Sequence, residues 1–427
     1  MMKIAIIGAG FAGLASAKVL GQLGYDVTVF DKTPDVGGVW SRMRRYPGLR
    51  TQNPKATYRF SDHPMPRDFP QWLEGAQVQQ YLEGYVERFG LQSSLRLETE
   101  VIAAVPIEGD DGWLVTTRDG SERYDHLVVA NGIFSEPLIP DFEGVAQLAT
   151  AGGRLIATSE LSSLDEVRGR NVLMVGYGKS SCDVAVEVSK VAASTTVVAR
   201  GLLWKVPRRL KGVVNYKYLL LTRLGEGLFP YQVLRGAERL LHARESAVPK
   251  LMLESVEKIV TSQLRLASLD LVPDAPFESI AKASVSLATE GFYDAVEQGT
   301  IKVRRDTVIV RFLEKDGKPH AQLSDGTVLS ADVVICGTGF RQEVPFLPTE
   351  IQARLLDARG NFALYRHILP LDVPNLTFAG YNSSFFSPLS AEMSAVWIGS
   401  YLTGHHSVPD RETMRKTVTA RVAWMEK

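Results

Sequence analysis

The sequence predicts an α/β protein built from two Rossmann-like dinucleotide-binding domains, with an α-helical insertion in the second. Three observations predict it. A strand–glycine–helix–strand unit opens the chain, "KIAIIGAGFAGLASAKVLGQLGYDVTVFD" over residues 3–31. A second strand–glycine–helix unit, "NVLMVGYGKSSCDVAVEV", stands at 171–188 and is followed by the strand "TTVVA". Two further apolar runs, "HLVVANG" (126–132) and "DVVICGTG" (332–339), stop in small residues and glycine. Such ends suit the crossings between one dinucleotide-binding domain and a second inserted into it.

In the first unit, "KIAIIG" is a short β-branched run, as suits a fully buried parallel strand. It enters Gly8-x-Gly10-x-x-Gly13 and continues with helical apolar spacing. Gly8 permits the tight turn, Gly10 lets a pyrophosphate approach the backbone, and Gly13 lets the helix pack on the strand. Phe11, Ala12 and Gly13 open the helix, whose free N–H groups and positive dipole end favour phosphate. The strand "DVTVF" ends at Asp31, at the spacing of an acid that accepts a ribose hydroxyl, with Lys32 beside it. In "KTPDVGGVW", Gly37 and Gly38 let the backbone run close to a ligand. Val39 and Trp40 follow, the tryptophan reading either as a core aromatic or as a cover for a flat ring.

The second unit repeats the first two glycines as Gly176 and Gly178, and Ser181 stands where the third belongs. Serine is small enough for the helix still to pack closely. Lys179 and Ser180 begin that helix. The next strand leads to Arg200, close to the offset at which the first unit carries Asp31. A carboxylate there would repel a 2′-phosphate, whereas a guanidinium grips it with two parallel hydrogen bonds. The two cradles are therefore expected to hold different cofactors, FAD in the first and NADPH in the second. Lys179, Lys205, Arg208 and Arg209 are further candidates for the 2′-phosphate site.

The expected domain organisation is a discontinuous FAD-binding domain, 1–147 and 325–427, around an NADPH-binding domain, 148–324. Residues 206–290, rich in Leu, Tyr and Arg, read as a helical insertion in the latter. Formal net charge is zero over 427 residues, so no global field favours nucleic acid or an anionic membrane. The two cysteines, Cys182 and Cys336, lie in or beside apolar segments and read as buried thiols; no CxxC is present for dithiol chemistry. No stretch approaches the roughly 20 apolar residues of a membrane span, and a cytoplasmic location is expected. The seven histidines lack metal-ligand spacing, and no metal is expected. A homodimer is compatible with the sequence, which carries no specific signal for assembly.

These features together resemble the class B flavoprotein monooxygenases: flavin-containing, N-hydroxylating and Baeyer–Villiger enzymes. The carriers are the Gly8–Asp31 unit, "GGVW", "YPGLRTQNPKATYRFSDHPMP" (46–66), "GYGKSSCDVA", Arg200, "GTGF" (337–340) and "FAGYNSSFFSPLSAEMSAVW" (378–397). The resemblance implies that NADPH reduces FAD, that the reduced flavin takes O2 to a C4a-(hydro)peroxide, and that a small organic substrate receives one oxygen atom. It also implies cofactor contacts from Thr51, Val101, Ala130, Asn131, Gly132, Gly337, Thr338, Gly339 and Phe340, with Asn382 and Ser383 as pocket candidates. Ser387 or Ser390 reads as the N-cap of the helix that follows. Alignment on Pro54-Lys55 puts Gln52 where the family has a functional asparagine, with Asn53 next to it. These two carboxamides are the catalytic candidates, and Lys55 belongs to the same loop. The linker fingerprint Phe-x-Gly-x3-His-x3-Tyr/Phe is reduced at 151–161 to Gly153 alone, with Ala151, Ala157 and Leu161 in the other places. This favours a less typical bacterial-type branch, one acting in specialised metabolism. Two rival classes use the same cradles: an FAD/NAD(P)H reductase without oxygen insertion, and a non-catalytic flavoprotein.

Overall fold

The computed structural model describes residues 1–427 apart from 221, 223–224, 226–235, 237–238, 240–247, 282–285, 383, 385 and 426–427. The chain begins with β1 (Lys3–Ile7), α1 (Phe11–Gln22) and β2 (Asp26–Phe30), the elements expected of the first cradle. After α2 (Gly75–Phe89) and β3 (Leu95–Arg96) comes an antiparallel meander, β4 (Ala103–Pro106), β5 (Trp113–Thr117) and β6 (Gly120–Tyr124), which leads into β7 (His126–Val129). The middle of the chain supplies β8 (Arg154–Ala157), β9 (Asn171–Val175), α3 (Lys179–Ser189), β10 (Ser194–Val198) and β11 (Lys205–Val206). It continues through α4 (Val248–Gln263), β12 (Ser286–Leu287), α5 (Phe292–Glu297) and β13 (Ile301–Arg304). A second antiparallel meander, β14 (Ile309–Lys315), β15 (Lys318–Leu323) and β16 (Val328–Ser330), leads into β17 (Val333–Cys336). The C-terminal part adds β18 (Leu376–Phe378) and α6 (Ser387–Leu402).

Two compact units result. The first comprises Met1–Arg45, Asn53–Glu136 and Phe340–Lys427; the second comprises Tyr46–Gln52 and Pro137–Gly339. In the first, five parallel strands run in the order β18-β7-β1-β2-β3. In the second, five parallel strands run in the order β8-β17-β9-β10-β13. The strands correspond one to one, and each sheet takes its third cradle strand (β7 or β17) directly after a meander.

The observed division differs from the sequence expectation of crossings near 147 and 325. It falls after Glu136 and after Gly339, because β17 pairs with β9 and so belongs to the second sheet. Gly337, Thr338 and Gly339 go with it. Tyr46–Gln52 also clusters with the second unit, which the sequence did not foreshadow.

The strands are buried because β-branched and aliphatic side chains cover both faces; Ile4–Ile6, Val128 and Val129 have no exposed surface. The first core gathers Phe30, Val101, Trp113, Tyr124 and Phe378, and the second gathers Val172, Met174, Cys182, Val197, Trp204 and Phe292. Both cysteines are free and buried. The expected helical insertion at 206–290 lies partly outside the described residues; those described include α4 but also the short strands β11 and β12. Among the described residues, no helix is long and apolar enough to cross a membrane.

Candidate dinucleotide-binding sites

At the first cradle, Gly8 has φ +114°, and a Cβ there would lie 2.3 Å from the Ala130 carbonyl oxygen at the end of β7. Gly13 is tighter still: a Cβ would lie 1.7 Å from the Gly8 carbonyl oxygen. That contact is incompatible with any side chain, so the helix approaches its own strand as closely as backbone allows. Gly10 is the N-cap of α1, with no side chain capping the helix and no acid in its first turn. The N–H groups of Phe11, Ala12 and Gly13 therefore remain available to an anion. Ala12 also packs against the backbone of Gly380, whose Cβ would lie 2.8 Å from the Ala12 methyl.

The loop at Gly37–Trp40 lies against this turn. Gly37 N–H donates to the Ala9 carbonyl at 3.0 Å, and a Cβ on Gly38 would lie 3.3 Å from Gly10 Cα. Trp40 is buried and donates its indole N–H to the Tyr58 hydroxyl at 3.1 Å. Val39 is half-buried. The Asp31 carboxylate accepts from Ala9 N–H (2.7 Å), Thr33 N–H (2.9 Å) and the Thr33 hydroxyl (2.8 Å). A carboxylate offers about four acceptor positions, so one is left for a further donor. Lys32 is exposed, and Val101 is a core side chain. Asn131 is fixed on both sides: its Nδ2 donates to the Glu343 carbonyl (2.9 Å), and its Oδ1 accepts from the Tyr381 hydroxyl (2.6 Å). Phe340 packs edge-on against Phe134.

The second cradle has the same plan with different close contacts. Gly176 has φ +101°, and its Cβ would lie 2.8 Å from the Gly337 carbonyl oxygen at the end of β17. Gly178 is the N-cap of α3, again without a side-chain cap or an acid in the first turn. Ser181 donates its hydroxyl to the Gly176 carbonyl at 2.7 Å. A Cβ on Gly337 would lie 2.6 Å from Ser181 Cβ. The third glycine is thus replaced by a serine whose bulk is accommodated opposite Gly337. Thr338 donates its hydroxyl to the Leu138 carbonyl, and Gly339 accepts from Leu138 N–H at 2.9 Å. Arg200 is exposed beyond the end of β10.

Not all the candidate cations stand ready for a phosphate. Lys179 pairs with Asp183 one turn on, and Asp183 also accepts from the Thr289 hydroxyl (2.6 Å) and the Tyr46 hydroxyl (3.3 Å). Burial and the Asp183 charge push the Tyr46 phenol up. Arg208 is paired with Glu290 at 2.9 Å. Lys205 is the main correction: it is buried, with its ammonium on the Tyr177 carbonyl, and it does not reach an exposed 2′-phosphate beside Arg200. Charged side chains ordinarily lie at the surface, which is why the sequence read it so.

The "TQNPK" loop is divided. Thr51 and Gln52 belong to the second unit and Asn53 to the first. Gln52 is anchored: its Oε1 accepts from Leu287 N–H (3.0 Å) and its main-chain carbonyl accepts from the Tyr216 hydroxyl (2.9 Å). Thr51 and Asn53 are buried. Lys55 closes its own loop by donating to the carbonyls of Arg67 (2.8 Å) and Phe69 (2.5 Å), a structural role. Ser383 lies outside the described residues. The N-cap of α6 is Phe386, and Ser387 is the first helical residue.

The paired cradles can be set beside known proteins. The profile of the flavin-binding monooxygenase-like family matches residues 1–427. The chain belongs to that family. It is a flavin-dependent monooxygenase. Dimethylaniline monooxygenase [N-oxide-forming] 2 of Oryctolagus cuniculus is 27% identical over 444 residues, covering 98% of this chain and 76% of the relative. A probable flavin-containing monooxygenase 1 of Arabidopsis thaliana is 25% identical over 457 residues, covering 96% and 84%. The crystal structure of OTEMO in complex with FAD and NADP matches with a TM-score of 0.73 at 17% identity, covering 99% of this chain and 90% of that one. That likeness is one of fold.

Proposed function

We propose that this flavin monooxygenase uses FAD in the first cradle and NADPH in the second, and transfers one oxygen atom of O2 to a small organic substrate at nitrogen, sulfur or a carbonyl carbon. The observation that carries this reading is the opposite chemistry at the strand ends of two otherwise matching cradles. Asp31 is a carboxylate turned back on its own glycine turn, and Arg200 is an exposed guanidinium. The first suits a ribose hydroxyl and the second a 2′-phosphate. FAD supplies, when bound, the two-electron and oxygen-activating chemistry of the resemblance described above.

The chain's own residues bind and orient. Uncapped helix N–H groups after Gly10 and Gly178 receive pyrophosphates. Gln52, with Oε1 fixed on Leu287, presents its Nε2 amide as a donor to flavin or nicotinamide, and Asn53 is the neighbouring alternative. The N-oxide-forming activity named for the rabbit relative supports nitrogen as an acceptor atom.

The test is oxygen uptake with isotope-labelled O2, NADPH and a panel of tertiary amines, thioethers and ketones. One labelled oxygen atom in the product per NADPH consumed is expected. Flavin reduction by NADPH with no O2 consumed would overturn oxygen transfer and leave the reductase reading.

A further inference from the structure

Both cradles place one residue between the first two glycines, Ala9 in the first and Tyr177 in the second. In both, the carbonyl of that residue is held by a donor. For Ala9 the donor is a neutral backbone group, Gly37 N–H at 3.0 Å. For Tyr177 it is the ammonium of Lys205, at 2.5 Å. Lys205 is 1% exposed and lies on β11, which pairs with β12. Its Nζ also lies 4.2 Å from the centre of the Tyr177 ring, so backbone and ring of one residue together hold the cation. The Cys182 thiol donates weakly to the same carbonyl at 3.8 Å.

A trans peptide directs its C=O and N–H to opposite sides. The N–H opposite the Tyr177 carbonyl is that of Gly178, the N-cap of α3. A cation on the carbonyl fixes this peptide and polarises it, strengthening its N–H as a donor.

Resting on the reading that the second cradle takes NADPH, we propose that Lys205 is a positioning residue for that dinucleotide: its buried ammonium, bonded to the Tyr177 carbonyl, aims the Gly178 N–H at the pyrophosphate and supplies positive charge behind the turn. Among the described residues no cation is bonded to the Ala9 carbonyl, so this tie between affinity and a proton belongs to the second cradle.

The sign follows from burial. Desolvation lowers the Lys205 pKa below its ordinary value. A bound pyrophosphate favours the ammonium and raises it again. Dinucleotide binding therefore takes up a proton in the window between the free and bound values, and affinity falls as pH rises through that window. The other ionisable groups facing Lys205 are Cys182, Lys179 and Asp183 on α3 and Tyr177 in the turn, with Tyr293 of α5 hydrogen-bonded to Tyr177. Burial pushes Cys182, Tyr177 and Tyr293 up. Lys179 is paired with Asp183.

The experiment is calorimetric titration of the FAD-loaded protein with NADP+ above about pH 7, clear of the ligand's own phosphate titration near pH 6. It uses wild type, Lys205→Met and Lys205→Arg, in buffers of different ionisation enthalpy. Wild type is expected to take up protons and to bind more weakly as pH rises. Lys205→Met should bind about tenfold more weakly at neutral pH, with no proton uptake and with FAD content unchanged. Lys205→Arg stays charged and should lose the fall in affinity with pH. A Met variant that matches wild type overturns the proposal. So does an Arg variant whose affinity falls with pH as wild type's does, which decides the matter even if the Met variant does not fold. Wild-type protein that binds no NADP+ at any pH overturns the NADPH reading itself, and the inference with it.

Discussion

The two cradles solve one packing problem in two ways. In the first, the helix is pressed onto its own strand: Gly13 sits where a Cβ would be 1.7 Å from the Gly8 carbonyl oxygen. In the second, Ser181 occupies that place, its hydroxyl satisfies the Gly176 carbonyl, and the missing side chain is at Gly337 on the neighbouring strand. A glycine fingerprint is thus a statement about total space around a turn. Space removed at one glycine is recovered at another that sequence spacing does not associate with it.

The largest expected effect breaks the first arrangement. Gly13→Ala forces backbone apart and should cost more than about 4 kcal/mol, giving colourless or unfolded protein. Flavin absorbance and yield measure it; a yellow, folded variant would mean that the helix has room to retreat.

The next contrast lies in the third strands, β7 and β17. β7 carries His126, buried, with Nε2 on the Thr377 hydroxyl at 2.9 Å; β17 carries no histidine. Burial lowers the His126 pKa from 6.5 to about 4. The unfolded chain therefore binds the extra proton between these values. Stability should fall as pH drops below 6.5 and level off below about 4, by about 3 kcal/mol in all. Denaturant melts across this range should show a smaller acid-dependent loss in His126→Gln than in wild type, the remainder coming from His63 and His367, which burial also lowers. Hydrogen exchange should place the loss in the first sheet; an equal loss in the second would end this contrast.

The strand ends differ next. If Arg200 grips the 2′-phosphate as proposed, Arg200→Ala removes a charge-assisted contact of about 1.5–3 kcal/mol, and the NADPH KM should rise about tenfold or more while that for NADH changes little. Equal changes for both cofactors would mean that Arg200 does not read the phosphate.

The smallest effect sharpens the comparison. Gly337→Ala overpacks Ser181 and should cost about 1–3 kcal/mol. Adding Ser181→Gly should recover part of that, and a double-mutant cycle on thermal stability measures the coupling. Strict additivity would separate the two positions.

The sequence made the cradles legible because strand, glycine turn and helix are local patterns. Gly8, Gly10, Gly13, Gly176 and Gly178 stand at the turns they predict. What it hid was non-local. The membership of β17 follows from its pairing with β9, and no local signal near residue 325 marks it. Lys205 reads as a surface cation until β11 places it behind Tyr177. Gln52 and Asn53 are adjacent in the chain yet fall in different units, which no spacing rule anticipates. The i, i+4 relation of Lys179 and Asp183 was available in the sequence, and it would have flagged the buried pair.

The interleaving of segments has a consequence for biogenesis. The second unit needs only Tyr46–Gln52 and Pro137–Gly339, so its parts are all present once Gly339 is made. The first unit waits: β7 lacks its outer neighbour β18, and α1 lacks α6, which packs so closely that a Cβ on Gly399 would lie 2.6 Å from Leu23. Translating the intervening stretch of about 200 residues, at roughly 5–20 residues per second, takes on the order of 10–40 s. For at least that time the nascent amino-terminal segment, up to Glu136, presents an open sheet edge and an uncovered apolar helix. The cradle translated first is thus finished after the second, and chaperones acting on the nascent chain have that interval in which to hold it.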